Sequence, residues 1–148
     1  MNIKERLKTN KVLPMHSKIT VQIMLVSNMV TEKLSEALKP FDVSIQQFNV
    51  LRILRGQKGK PANLFTIQER MINKMSNTTR LVDKLIAKGF VERSVCEANR
   101  RKVEIRITPD GLKALVEMDI AIANTEKEFI KNMNEEELNL LDNLLKKI

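Results

Sequence analysis

At 148 residues the chain is long enough for one domain, or for one domain with an interaction appendage. It is 43% hydrophobic, its five aromatic residues are all Phe, and with only four Gly and four Pro it reads as mostly helical. No apolar run reaches the ~18 residues of a membrane span. The opening MNIKERLKTNK lacks the hydrophobic stretch of a secretory signal, so a cytoplasmic protein without a membrane partner is expected.

The formal net charge is +8, and it is unevenly placed. Residues 107–148 carry five cations against nine acids, so the basic excess lies in the preceding three-quarters of the chain. A basic body of this kind suits a polyanionic partner, either nucleic acid or an anionic membrane surface. One His and one Cys cannot assemble a zinc site, nor a Cys–His pair with an orienting third group. The four glycines are isolated and form no phosphate-cradling loop. Glu135, Glu136 and Glu137 follow Asn134 and fit a first helical turn, where the helix dipole favours anions. These features argue against an enzyme, a metal centre or a cofactor.

In chain order, residues 1–16 lack periodicity and read as an arm or a short helical start. From Ser17 to Lys39, Ile19, Ile23, Val30, Leu34 and Leu38 form one helical stripe, and Val21, Leu25 and Met29 form a second. Pro40 stops that helix. Ser44 with Gln47 forms a capping-box pattern for a second helix, with Ile45, Phe48, Leu51 and Leu54 inward and Gly56 at its end. After the loop GQKGKPAN, Leu64 and Phe65 are expected in a short strand. Thr66 with Glu69 then caps a third helix whose apolar edge is Ile67, Met71 and Met75.

The fourth helix is SNTTRLVDKLIAKG, with Ser76 as its expected N-cap and Gly89 as its stop. At 100° per residue Thr78, Leu81, Val82, Leu85 and Ile86 share one face. Ser76, Asn77, Arg80, Asp83, Lys84 and Ala87 lie opposite, a mixture of small polar groups and cations suited to base edges and phosphates. Asp83 could tether Arg80 or pair structurally with another cation.

FVERSVC (90–96) and KVEIRIT (102–108) alternate like strands and are joined by EANRR, which makes a hairpin. Arg100, Arg101 and Lys102 fall at or just past its tip, where no core requirement explains three cations. Thr108 caps the next helix with Pro109 in its first turn. Leu112, Leu115, Val116, Ile122, Phe129 and Ile130 carry its apolar pattern to about Met133. Asn134 with Glu137 starts a last helix striped by Leu138, Leu141, Leu144, Leu145 and Ile148.

Two short helices, a polar-faced helix and a hairpin make a winged helix-turn-helix. The predicted fold is therefore mainly α with a small β-hairpin wing, the winged part spanning 44–108. The helices of 17–39 and 109–148 carry more apolar surface than so small a domain can cover. A second copy of the chain would cover it, through Ile19, Ile23, Leu138, Leu141 and Leu145.

Ser44 to Gly111 resembles the MarR family of bacterial transcription regulators. The resemblance is carried by SIQQFNVLRIL, by SNTTRLVDKLIAKGFVER, and by NRRKVEIRITPDG, which is similar to a wing signature of Asp, one residue, Arg, a strand, and Thr-x-x-Gly. It implies a homodimer on double-stranded DNA. Ser76, Asn77, Thr78, Thr79, Arg80 and Lys84 lie in the segment that enters the major groove. Asn99, Arg100, Arg101 and Lys102 lie on the wing, with Arg101 matching the arginine that approaches the minor groove. Asn99 departs from the family's usual Asp. It keeps an acceptor that can orient Arg101 but loses the charge.

The resemblance also implies a small-molecule effector, for which Met15, His16, Met24 and Phe48 are the candidate lining; Met and Phe at such spacing are more often core, and a lone His at a helix start is more often a cap or surface residue. Some relatives sense peroxide through a Cys near the start of the first helix. This chain has none there, and Cys96 on the wing reads as a structural or incidental thiol. The alternative function is a winged-helix module that binds or scaffolds a protein partner without specific DNA binding.

Overall fold

The computed structural model describes residues 6–148. The earliest part of the expected N-terminal arm, residues 1–5, lies outside the described residues. Helix α1, Met15–Leu38, starts after Pro14 and runs into a single 3-10 turn, Lys39–Phe41, whose first turn contains Pro40. Asp42 turns the chain in the left-handed region at φ 51°. Aspartate tolerates this conformation better than most side chains.

Helix α2, Ile45–Gly56, has both halves of its capping box. Gln47 N–H donates to Ser44 Oγ at 3.1 Å, and Ser44 N–H donates to Gln47 Oε1 at 2.8 Å. Helix α3, Leu64–Arg70, begins earlier than expected, because Asn63 Oδ1 accepts from Thr66 N–H at 2.8 Å and caps it. Leu64 and Phe65 are therefore helical and not a strand, and Thr66 is not the cap. Asparagine is the stronger N-cap, and it starts the helix as soon as the chain leaves Pro61. The extended backbone sits one step upstream. Ala62 pairs with Ile105 through two hydrogen bonds of 2.9 and 2.7 Å. Helix α3 also stops short: Met71 is its extended C-terminal neighbour, and Met75 lies beyond it in the following turn instead of on its apolar edge.

Helix α4 is Thr78–Ala87, ended by Gly89 at φ 74°. Strands β1 (Val91–Cys96) and β2 (Asn99–Ile107) pair antiparallel from Val91 opposite Ile107 to Cys96 opposite Asn99, with the register shifting between Val95 and Cys96. Helix α5, Pro109–Ile130, is capped by Thr108, whose Oγ accepts from Gly111 N–H and donates to Gly89 O. Helix α6, Glu135–Leu145, has the Asn134–Glu137 capping box in full.

The core gathers Leu51 and Leu54 of α2, Ile67 of α3, Val82 and Leu85 of α4, Ile105 of β2, and Leu115 and Met118 of α5. Leu38 is the one buried residue of α1, which lies mainly along α5, and α6 has no buried residue. A half-exposed ion pair joins Arg55 of α2 to Asp119 of α5. No helix among the described residues is long and apolar enough to cross a membrane.

The wing's last strand enters α5 under Gly111, where a Cβ would lie 2.1 Å from Phe90 O and 2.8 Å from Ile107 Cγ1. Alanine would favour a helix over glycine by roughly 0.5–1 kcal/mol, but overpacking against backbone costs ~1–3 kcal/mol. Gly111→Ala is expected to be net destabilising, visible as a lower urea midpoint at unchanged slope. A variant as stable as its parent would rule out this close packing.

Candidate nucleic-acid interface

Helix α4 divides cleanly into two faces. Val82 and Leu85 are buried, with Leu81 and Ile86 half-buried, while Asn77, Thr79, Arg80, Asp83 and Lys84 are exposed. Asn77, and not Ser76, is the N-cap: its Oδ1 accepts from Arg80 N–H at 3.1 Å. Ser76 precedes it, half-buried, with an Oγ that is enclosed and unpartnered among the described residues. Thr78 is only 5% exposed, and its hydroxyl donates to Gln68 Oε1 of α3. Thr78 therefore joins the two helices of the helix-turn-helix and does not face outward. The helical period already put it on the inner face; the resemblance alone counted it with the groove-entering residues.

Among the described residues neither Arg80 nor Lys84 forms an ion pair, so both cations stand free on the outer face. Asp83 is otherwise engaged. Its Oδ1 accepts from Arg93 Nη2 at 2.9 Å, which ties α4 to the first wing strand. Asp83 is thus the structural partner of a cation on the wing and not a tether for Arg80.

The hairpin turns at Glu97–Ala98, so Arg100, Arg101 and Lys102 lie just past the tip, inside β2. All three are exposed, and none is ion-paired among the described residues. Strand alternation sends Arg101 to the face opposite Arg100 and Lys102. Asn99 Oδ1 accepts from the backbone N–H of Arg101 at 3.1 Å. Asn99 thus shapes the wing backbone where Arg101 leaves it, a task that needs an acceptor and no charge. Cys96 is half-buried opposite Asn99.

The four residues expected to line an effector pocket are not brought together. Phe48 is a core residue with the Arg52 guanidinium 5.6 Å from its ring centre, while Met15, His16 and Met24 are exposed on α1. An open cleft of about 670 Å³ lies elsewhere, between the α1–α2 corner and the end of α4, with Lys39, Asp42, Gln47, Lys84 and Lys88 on its walls. Sequence reasoning missed it because its lining joins two stretches far apart in the chain, 35–47 and 84–88. Within it the Lys88 ammonium hydrogen-bonds and attracts the Asp42 carboxylate, which holds that carboxyl below its ordinary pKa.

Of the expected dimer residues, Ile19, Ile23, Leu141 and Leu145 are exposed and Leu138 is half-buried.

A free cationic helix face pinned to a cationic two-stranded wing defines a winged helix-turn-helix protein. The MarR family model matches residues 43–103. The Multiple antibiotic resistance protein MarR of Salmonella typhimurium is 28% identical over 130 residues, covering 85% of this chain and 87% of that protein. Wild-type MarR (apo form) from E. coli has a similar fold, with a TM-score of 0.72 and 26% identity across 93% of this chain and 98% of that one. A mutant MarR from E. coli complexed with operator DNA matches at a TM-score of 0.77 and 25% identity, covering 91% of this chain and 98% of that one. Residues 43–103 thus carry a MarR-family winged helix-turn-helix, and the chain as a whole shares the fold of MarR.

The Thr78 assignment separates packing from contact. Thr78→Val leaves Gln68 Oε1 without its donor and should cost ~1–3 kcal/mol of stability. Any loss of duplex affinity should vanish at temperatures where both proteins are fully folded. A persistent affinity loss in a folded Thr78→Val protein would return Thr78 to the interface.

Proposed function

We propose that this chain is a homodimeric, sequence-specific double-stranded DNA-binding regulator whose α4 helices enter successive major grooves while the wings reach the flanking minor grooves. The observation that carries the reading is the free outer face of α4, with Arg80 and Lys84 one turn apart and unpaired, joined through Asp83 and Arg93 to a wing bearing three more unpaired cations. Residues that bridge helix and wing in this way let the two cationic elements act as one surface. Asn77, Thr79 and Arg80 suit base edges, whereas Lys84, Arg100 and Lys102 suit phosphates. The single Arg101, on the opposite side of β2 from those two, suits a narrow minor groove.

The test is a titration on duplex from the DNA upstream of the chain's own coding region at several salt concentrations. Log affinity should fall linearly with log salt, and each neutralised phosphate-contacting cation should lower that slope by about one. Arg80→Ala should weaken specific duplex by ~1–3 kcal/mol and random duplex less. Equal losses on both would reduce Arg80 to a phosphate contact. If the Arg100, Arg101, Lys102 triple alanine keeps both its affinity and its salt slope, the wing does not touch DNA.

Dimerisation through the helices of 17–39 and 109–148 is supported by the apolar surface they leave uncovered. Leu141 and Leu145 are 40% and 53% exposed, and Ile19 and Ile23 are 44% and 42% exposed. Light scattering at micromolar concentration should give twice the chain mass, and Leu141→Glu with Leu145→Glu should halve it or unfold the chain. A stable, soluble monomer of the parent chain would overturn this part of the reading.

Release by a small-molecule effector completes the proposal. Such a ligand must bind the DNA-free arrangement better than the DNA-bound one to act at all. The cleft beside Lys39, Lys84 and Lys88 has the charge to favour an anionic molecule, and it adjoins the recognition helix itself.

A further inference from the structure

Between α3 and α4 the chain makes a five-residue turn, Ile72–Ser76, that holds two large apolar side chains out in solvent. Ile72 is 87% exposed and Met75 is 92% exposed. Single exposed apolar residues are ordinary. These two differ because the turn that carries them is pinned from several sides. Ile72 N–H donates to Asn49 Oδ1 of α2 at 3.0 Å, Met75 N–H donates to Asn73 Oδ1 at 3.0 Å, and Ser76 N–H donates to Asn73 O at 3.2 Å. Gln68 of α3 donates through its amide to Lys74 O, and the same side chain accepts from Thr78. The backbone of the turn is thus hydrogen-bonded to α2 and to α3, and the side chains stay outside.

What meets this turn follows from where it sits and from its charge. It leads directly into the N-terminal end of α4, the end of a recognition helix that approaches base edges. From Arg70 to Lys88 the only acid is Asp83, which Arg93 already neutralises, whereas Arg70, Lys74, Arg80, Lys84 and Lys88 are cations. An apolar knuckle set in a cationic surface matches a polyanion that itself presents apolar groups. Duplex DNA does so through the thymine C5-methyl in the major groove, the one apolar group in the base-edge code.

We infer that Met75, with Ile72 three residues before it, is a second base-reading element that packs on a thymine C5-methyl beside the base pairs met by Arg80. The inference rests on the DNA-binding reading above and adds a base preference to it. Met75 has the long, unbranched and polarizable side chain that adapts to a small apolar partner. Burying one methyl-sized group is worth about a fourfold change in affinity.

The experiment starts from a duplex selected by the parent chain from a random pool. Each thymine in it is replaced in turn by uracil, which removes the C5-methyl and keeps the pairing. The parent chain, Met75→Ala and Met75→Gln are titrated on every duplex, with melting temperatures as the control for folding. Uracil at one position per half-site should weaken the parent about fourfold. Both variants, which lose the contact in each of the two half-sites, should bind the thymine duplex about sixteenfold more weakly than the parent and be indifferent to uracil at those positions. The inference is overturned if the three proteins share the same uracil penalties everywhere, if Met75→Gln binds the thymine duplex as tightly as the parent, or if the selected half-sites contain no thymine. Failure of the parent to select any duplex would instead overturn the DNA-binding reading, and this one with it.

Discussion

A two-stranded hairpin buries too little surface to persist alone in water, and Arg100, Arg101 and Lys102, three of the five unpaired cations proposed to meet DNA, are carried by one. Everything the wing can do depends on how its base is held. Ile105 of β2 is fully buried and exchanges two backbone hydrogen bonds with Ala62, so the hairpin gains a third strand one residue long. Thr108 then bonds both Gly89 and Gly111, and Gly111 lets α5 close against Phe90 without a side chain between them. The far half of the hairpin has no such support. Val95 and Val103, directly opposite each other, are both exposed. The wing is therefore anchored at one end, and Arg93 with Asp83 is its side link to α4.

The same division between held and unheld surface runs through the helices. The winged part closes its core against α5, through Leu115 and Met118, whereas α1 and α6 keep apolar stripes largely uncovered. Burial at ~25 cal/mol per Å² is the main favourable term available to such a stripe. Leaving it in water on two separate helices makes little sense for a chain that acts alone. In the proposed homodimer a second copy would supply their covering surface, since a two-fold axis sets the same patch of each chain against its partner.

Sequence reasoning reached most of this architecture because the strong signals were local. Capping boxes at Ser44 and Asn134, the Thr108–Pro109 start and the alternation of β2 each involve residues within a few positions of one another. The errors came where two local signals competed or where the partner was distant. Asn63 outcompeted Thr66 as a cap, and Asn77 outcompeted Ser76, each shifting a helix start. Thr78 bonds Gln68, and Asp83 bonds Arg93 ten residues on; no periodicity encodes either pair. The cleft beside α4 was invisible for the same reason, since Lys39, Asp42 and Lys88 meet only after the corner at Pro40 is turned.

The distribution of charge bears on how the proposed regulator would combine affinity with selectivity. Lysines and arginines on the wing and on α4 attract any duplex, and that attraction carries no sequence information. Selectivity has to come from groups whose gain depends on the base beneath them, and those groups must be presented without motion or their ordering entropy cancels the gain. In this chain the rigidly held positions are the N-terminal end of α4, capped by Asn77, and the turn before it, tied to Asn49 and Gln68. The three exposed wing cations, by contrast, sit on the half of the hairpin that nothing else braces. The stiff part of the surface is suited to reading and the loose part to holding. In the proposed complex the Asp83–Arg93 pair, which costs the surface one cation, would keep the two within reach of the same duplex.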